Sequence, residues 1–286
     1  EEWLPQAVLD RYYGWIARSF AQDIDYDLLF GAAGGVSVLL NLHGSLAQPR
    51  ALELAVACGD HLLQKAERRE PGLAWKNPRF PYLGGFSHGT AGIAWALLRL
   101  ARVSGERRFE DAGLAALAYD RSLYVPEDRT WRDLRQEKGT VISAWCHGSA
   151  GIGLSRLLMG EVLEDPRLRE ECGLAAEHLA HAGFGVSHCL CHGDLGNLEL
   201  LAALGRQAGR EDHAARVDAH LAHLVARARE GAAWKSGMPG RNVDIFGLFM
   251  GLAGMGMGLL RFAAWERVPS VLALEGPSLD FSSLHR

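Results

Sequence analysis

Two Cys-His-Gly triplets carry the side chains best suited to chemistry in this sequence. They are Cys146-His147-Gly148 and Cys191-His192-Gly193. Thiolate and imidazole are the ligands that zinc prefers, at bond lengths of about 2.0 to 2.3 Å. Cys191 and His192 can both reach one ion if the backbone turns sharply, which the following glycine permits. With Cys146 as the third ligand the fourth tetrahedral position stays open, as it does in catalytic zinc sites. The triplets therefore predict a catalytic zinc (Zn²⁺) site made by Cys146, Cys191 and His192.

The other three cysteines, Cys58, Cys172 and Cys189, are predicted to be core residues, because free cysteine often behaves as a small buried hydrophobe. Cys189 lies two residues before Cys191 and is the nearest competitor as a ligand. A structural zinc would need a fourth protein ligand, for which Cys189 and His147 are the candidates.

Composition indicates an ordinary globular protein. The chain has 286 residues, is 48% hydrophobic and 22% charged, and has a formal net charge of −4. This charge gives no reason to expect a nucleic-acid partner or an anionic membrane. An odd number of cysteines, five, disfavours a disulfide framework and fits a reducing cytoplasm. The first residues lack the features of a signal peptide, and the longest uncharged apolar run, Ile245 to Leu260, is shorter than a membrane span of roughly 18 residues. We therefore expect a cytoplasmic protein without a membrane span.

A G-x-x-G tetrapeptide recurs five times along the chain. Its first glycines are Gly31, Gly89, Gly148, Gly193 and Gly251. Regular self-similarity of this kind is typical of repeat architectures. Each tetrapeptide opens a nearly uncharged apolar run, which predicts a buried inner helix, and a more amphipathic outer helix follows. Strand signals are weak. Long loops over 71–83, 126–139 and 231–243 approach later copies. The pattern predicts an all-α protein with an inner and an outer layer of helices.

We call the residues just before each tetrapeptide an entrance. The repeat places all entrances in equivalent positions, so that a helical toroid would bring them to one rim of a central cavity. His88 precedes Gly89 as His147 and His192 precede their glycines, and Asp27 lies four residues before Gly31. His88 alone would be interpreted as a core histidine, but its register with the triplets favours a site residue. Asp27 fits either the site or a cap for the following helix.

These motifs resemble the lanthionine synthetase C-like family, the zinc-dependent cyclases of lanthipeptide biosynthesis. The matching stretches are Asp27 to Gly35, Gly85 to Gly92, Trp145 to Gly148, Cys191 to Asn197, and the C-terminal Gly251 to Leu272. The resemblance covers nearly the whole chain, 1–286, as one cyclase-like domain. The paired cysteine motifs in this repeat frame are specific, whereas G-x-x-G alone is not.

The resemblance implies an α/α toroid in which Cys146, Cys191 and His192 bind zinc and His88 and Asp27 are the active-site histidine and aspartate. It also implies Michael addition of peptide cysteines to dehydroalanine or dehydrobutyrine, giving the thioether rings of a ribosomal peptide. The family toroid has seven helix pairs, whereas the sequence shows five tetrapeptides. We therefore expect an incomplete toroid, whose partners are a dehydrated precursor peptide and either a dehydratase domain or a missing N-terminal cyclase segment.

Three alternatives stay open on the sequence. Glutathione could replace the peptide thiol as donor, or the chain could be a helical-repeat binding module with a structural zinc. A helical-toroid glycosidase is a more distant rival, since it would need two carboxylates facing one cavity and the entrances offer only Asp27 and Asp194.

Overall fold

The computed structural model describes residues 5–135, 143–238 and 245–276. Within these ranges the chain forms ten α-helices and two short β-hairpins. The helices are α1 (Gln6–Ser19), α2 (Ala32–Leu46), α3 (Pro49–Lys65), α4 (Thr90–Ser104), α5 (Arg107–Ser122), α6 (Ser149–Met159), α7 (Pro166–Ala182), α8 (Asp194–Gly205), α9 (Glu211–Arg229) and α10 (Leu252–Ala263). A 3-10 turn, Phe20–Gln22, follows α1.

The helices alternate between two layers, as the sequence predicts. The even-numbered helices begin at the five tetrapeptides and pack in order against one another, from α2 through α4, α6 and α8 to α10. They are rich in apolar residues, and α4, α6 and α8 are buried over most of their length. In α8 all residues but Ala203 and Gly205 are buried, whereas α10 buries only Gly254, Met255, Gly258 and Arg261. The odd-numbered helices lie outside, and α9 buries only His213, Val217 and Leu224. The predicted all-α, double-layered toroid architecture is confirmed, with five inner helices in the described ranges.

The second glycine of each tetrapeptide is explained by a backbone contact. A Cβ atom there would lie 1.6 to 2.1 Å from the carbonyl oxygen of the residue six positions earlier. The pairs are Gly34 with Leu28, Gly92 with Phe86, Gly151 with Trp145, Gly196 with Leu190, and Gly254 with Leu248. Any side chain would push the entrance away from its helix, so each entrance is folded tightly over the first turn.

The two hairpins fall in or beside segments that the sequence predicts as loops. β1 (Ala66–Arg69) pairs with β2 (Gly72–Trp75), and β3 (Tyr124–Val125) pairs with β4 (Thr130–Trp131). Long connections from an outer to an inner helix satisfy their backbone polar groups by pairing with themselves. Residues 136–139 and 239–243 of the predicted loops lie outside the described ranges.

The segment after α10 contacts Trp145 and continues to α2, the first helix of the inner layer. The Trp145 indole N–H donates to the carbonyl of Leu272 at 3.1 Å, and the Asn41 amide of α2 donates to the carbonyl of Leu274 at 2.6 Å. Leu272 and Ala273 are buried. This segment thus ties α2 to the residue that precedes Cys146.

Candidate metal centre and its flanking pair

The entrances are joined to one another by main-chain hydrogen bonds. The Leu28 N–H donates to the Ser87 carbonyl at 3.1 Å, linking the first two entrances. The Cys146 N–H donates to the Cys191 carbonyl at 3.1 Å, and the Cys191 N–H donates to the Phe249 carbonyl at 2.9 Å. The entrances therefore share one end of the inner layer, as the repeat register predicts.

Three predicted ligands converge at this end. The ligand atoms of Cys146, Cys191 and His192 all lie within 4.8 Å of one another. His192 Nε2 lies 2.8 Å from the Gly237 carbonyl oxygen, which leaves Nδ1 as the ring nitrogen available to a metal. A ligand histidine usually donates its other N–H to such an acceptor, which fixes the tautomer and the ring orientation. The donor set and its support fit a zinc ion.

Hydrogen bonds within the cluster shift the pKa values of its three side chains. A hydrogen bond from Cys191 holds the pKa of the Cys146 thiol well below its usual range, while the same contact raises the pKa of Cys191. The hydrogen bond with Cys146 raises the pKa of His192 to about 10. These contacts thus stabilise the thiolate of Cys146, the form in which cysteine binds metals.

The other cysteines keep to the predicted core. Burial raises the pKa values of Cys58 and Cys172 to about 12, so both remain protonated thiols. Cys189 is buried with its Sγ 3.3 Å from the Ser187 hydroxyl. A Cβ atom on Gly237 would be 2.9 Å from both Cys189 Sγ and His192 Nε2, so Cys189 lies on the carbonyl side of the His192 ring. It therefore lies outside the three-ligand cluster found among the described residues.

Asp27 and His88 form a pair beside this cluster. His88 Nδ1 lies 2.9 Å from Asp27 Oδ2, and the carboxylate side chain is 4% exposed. Because a carboxylate only accepts, the ring donates from Nδ1 and its Nε2 is left for other partners. The second carboxylate oxygen, Oδ1, accepts the N–H groups of Leu29 and Phe30 at 2.9 and 2.7 Å. Asp27 thus contacts the histidine and holds the turn before α2, but it does not cap that helix, because the N–H of Ala32 donates to Asp23 Oδ2 instead.

The rings of the residues that precede the first three tetrapeptides stack in a row. The Phe30 ring lies 5.6 Å from His88, and His88 lies 5.1 Å from His147, with interplanar angles of 23° and 24°. Burial lowers the pKa of His147 to about 4, so this imidazole is neutral at neutral pH. Gly148, which follows it, has φ +109°, a conformation that favours glycine. The row connects the Asp27–His88 pair to the Cys146 entrance.

The fifth entrance supports the site without supplying a ligand. The Phe249 ring stacks on Trp145 at 5.3 Å and 6°, and the Met250 carbonyl accepts the Gly237 N–H at 2.8 Å. Sequence reasoning missed Gly237, because a main-chain carbonyl in a long loop leaves no motif. It also missed Phe30, although its register with His88 and His147 was a usable signal.

The fold and site together define a class of protein: a double-layered helical toroid with a Cys-Cys-His centre at the entrances of its inner helices. A family model described as lanthionine synthetase C-like protein matches residues 5–273. The chain belongs to this lanthionine synthetase C-like family.

Two similar proteins illustrate this relationship. The lacticin 481/lactococcin biosynthesis protein LcnDR2 of Lactococcus lactis subsp. lactis is 25% identical over 190 residues, which are 61% of this chain and 18% of that protein. The chain thus spans less than a fifth of that relative's length. A solved structure of nisin cyclase superposes with a TM-score of 0.62 at 20% identity, covering 90% of this chain and 70% of that one. At this identity the similarity to nisin cyclase shows a shared fold. Among the described helices none combines the length and apolarity that a membrane crossing requires.

Proposed function

We propose that the chain is a zinc-dependent cyclase that joins cysteine thiols of a dehydrated precursor peptide to dehydroalanine or dehydrobutyrine residues. The products are lanthionine and methyllanthionine thioether rings. The observation that carries the proposal is the placement of two reactive groups at neighbouring entrances. A cluster of Cys146, Cys191 and His192 lies on one side, and the Asp27–His88 pair lies on the other.

The cluster is assigned to the nucleophile. A zinc ion held there would supply the charge that lowers the pKa of a substrate thiol and would keep it as thiolate near neutral pH. Cys146, Cys191 and His192 would hold the ion through Sγ, Sγ and Nδ1. Gly237 fixes the imidazole by accepting from its Nε2. With three protein ligands, a tetrahedral zinc would have one position open to the substrate sulfur.

The Asp27–His88 pair is assigned to the acceptor. Attack of the sulfur on the β-carbon moves the alkene electron pair towards the conjugated carbonyl, giving an enolate that needs a proton at the α-carbon. His88 has its Nδ1 held by Asp27, so in its protonated form it can donate from Nε2. One carbon–sulfur and one carbon–hydrogen bond form, the thiol hydrogen is balanced by the proton delivered, and no oxidant or reductant is needed.

A mass spectrum tests the proposal. A dehydrated peptide with one cysteine and one dehydro residue is incubated with the zinc-loaded protein, and free thiols are then alkylated. Ring closure leaves the peptide mass unchanged and removes its reaction with the alkylating agent. A peptide that still alkylates fully would overturn the proposal. Addition of glutathione to a cysteine-free dehydrated peptide would instead indicate an external thiol donor.

The ligand count separates the enzyme from a binding module with a structural zinc. X-ray absorption should show two sulfur and one nitrogen ligand from the protein, with the fourth place taken by water or substrate sulfur. A third sulfur in the absence of substrate would favour a structural site that includes Cys189. The dehydrated peptide itself must come from a dehydratase, which we propose as a partner on another domain or chain.

A further inference from the structure

Phe30 has an unusual environment for a phenylalanine. It is 73% exposed, whereas the neighbouring Asp27 and Leu28 are buried. Its ring stacks on His88 at 5.6 Å, and its N–H is held by Asp27 Oδ1 at 2.7 Å. The ring therefore lies beside the candidate proton donor while most of its surface faces solvent.

Core packing does not account for this ring. Burial of a phenylalanine contributes to stability only to the extent that its surface leaves water, and here most of the surface stays exposed. The repeat register adds to the argument. Phe30 holds the same position before its tetrapeptide as His88, His147 and His192 do before theirs. An apolar ring thus extends a row whose other members are imidazoles.

We propose that Phe30 is a specificity-determining residue whose ring forms an apolar wall for the β-substituent of the dehydro residue. This inference rests on the proposed cyclase function. Dehydrobutyrine carries a β-methyl group that dehydroalanine lacks. An alkene placed for protonation by His88 lies next to the Phe30 ring, because the two rings are stacked. The methyl group then loses water contact against the ring, and dehydrobutyrine gains more from Phe30 than dehydroalanine does.

The size of this preference follows from the transfer of one methyl group. Burying one such group against an apolar surface changes an equilibrium by about four-fold. We therefore expect Phe30→Ala to lower the rate on a dehydrobutyrine peptide about four-fold more than the rate on the matched dehydroalanine peptide. Phe30→Leu keeps an apolar side chain and should retain part of the preference.

The experiment compares the wild type, Phe30→Ala and Phe30→Leu on two peptides that differ only in the β-methyl group. Cysteine-free versions of both peptides are titrated by calorimetry, which gives a binding readout independent of ring closure. Phe30→Ala should weaken binding of the dehydrobutyrine peptide selectively. Leu260→Ala is the control, because Leu260 is 60% exposed near the C-terminal end of α10, away from the entrances.

The outcomes separate this inference from the proposed function. If the wild type closes no ring on either peptide, the cyclase proposal fails. If the wild type is active and Phe30→Ala slows both peptides equally, the ring only supports His88 and the specificity role is overturned. Thermal unfolding should be nearly unchanged in Phe30→Ala, and a large loss of stability would assign the ring to folding instead.

Discussion

His88 Nδ1 and Asp27 Oδ2 lie 2.9 Å apart, although 61 positions separate the two residues in the chain. The hydrogen bond joins the first two entrances, next to the main-chain bond from Leu28 to Ser87. It sets the orientation of the imidazole and directs Nε2 away from the carboxylate. The side chain that we assign to proton transfer is thus positioned by a different repeat from its own.

We expect His88→Asn to keep its zinc and its fold while ring closure slows by about 10²- to 10⁴-fold, the usual cost of losing a general acid. The measurement is zinc content beside the rate of thiol disappearance on the same preparation. Loss of zinc in this variant would make His88 a ligand and contradict its assignment. An unchanged rate would show that the proton comes from another group.

Asp27→Asn should also slow ring closure, but by a smaller factor than His88→Asn does. The amide oxygen can still accept from Leu29 and Phe30, so the local turn is retained. The amide nitrogen would face His88 Nδ1 as a donor and would favour the other tautomer. Asp27→Ala also removes the acceptor for the turn before α2, so the comparison separates the two functions: only the alanine variant should lose thermal stability.

The cysteines provide a matched set for the metal. Cys191→Ala should lose zinc, because it removes one of three converging donors. Cys58→Ala and Cys172→Ala should keep it, since both thiols are buried elsewhere and stay protonated. Cys189→Ala should also keep it. Metal analysis after dialysis checks all four, and zinc retained by Cys191→Ala but lost by Cys189→Ala would reverse the ligand assignment.

The parts of this site that the sequence predicts are those that follow from the repeat. The second glycine of each tetrapeptide is required by a backbone contact within its own repeat. The starts of the five inner helices can therefore be identified from the sequence alone. Their register then brings Cys146, His192 and His88 together. Gly237 and Leu272 contribute carbonyl groups from irregular segments, and a carbonyl is the same in every residue. Such contacts depend on tertiary packing and leave no signal in residue type.

Gly237→Ala should weaken zinc binding without removing a ligand. The added Cβ would approach His192 Nε2 and Cys189 Sγ to 2.9 Å, so the imidazole must shift. Disturbing the partner of a ligand histidine typically costs 10- to 100-fold in metal affinity. Gly256→Ala is the control, because a Cβ there meets nothing within 4 Å. Competition with a chromophoric chelator gives both affinities, and equal values would show that Gly237 does not orient His192.

Arg156 is expected to be a large contributor to stability. Its side chain is fully buried and pairs with Asp120 and Glu171, and Asp120 also accepts the Gly85 N–H at 2.9 Å. Arg156→Met would leave these carboxylates without their shared buried partner, at a cost of about 3 to 5 kcal/mol. Arg107→Ala, which removes a solvent-exposed pair with Asp111, should change stability little. Urea unfolding of both variants tests this difference, and similar small effects would contradict it.

Glu199 should make stability depend on pH in the direction opposite to most carboxylates. Burial raises its pKa to about 7, from an ordinary value of 4.5. The groups that face it are Arg261 of α10, which opposes the shift, and Ser270 and Glu275 of the following segment. Ser270 donates to the Glu199 carboxyl group, while the carboxylate of Glu275 adds to the rise.

The direction of this pH dependence follows from how tightly each state binds the Glu199 proton. The folded state holds the Glu199 proton more tightly than the unfolded state does, so this contribution is fully present below about pH 4.5. It is lost as the pH rises through about 7. The difference between the two pKa values, about 2.5, corresponds to about 3 kcal/mol of stability. Glu199→Gln mimics the protonated form and keeps an acceptor for Ser270, so it should remove this part of the pH dependence.

The measurement is the free energy of unfolding in urea at about pH 5 and about pH 8. Between these values the wild type should lose about 2 to 3 kcal/mol more than Glu199→Gln does. Taking the difference between the two proteins cancels the contributions of histidines that titrate in the same range. Glu110→Gln, at an exposed position on α5, should follow the wild type. Parallel curves for the wild type and Glu199→Gln would show that Glu199 is ionised in the folded protein throughout, held by Arg261 rather than neutralised by burial.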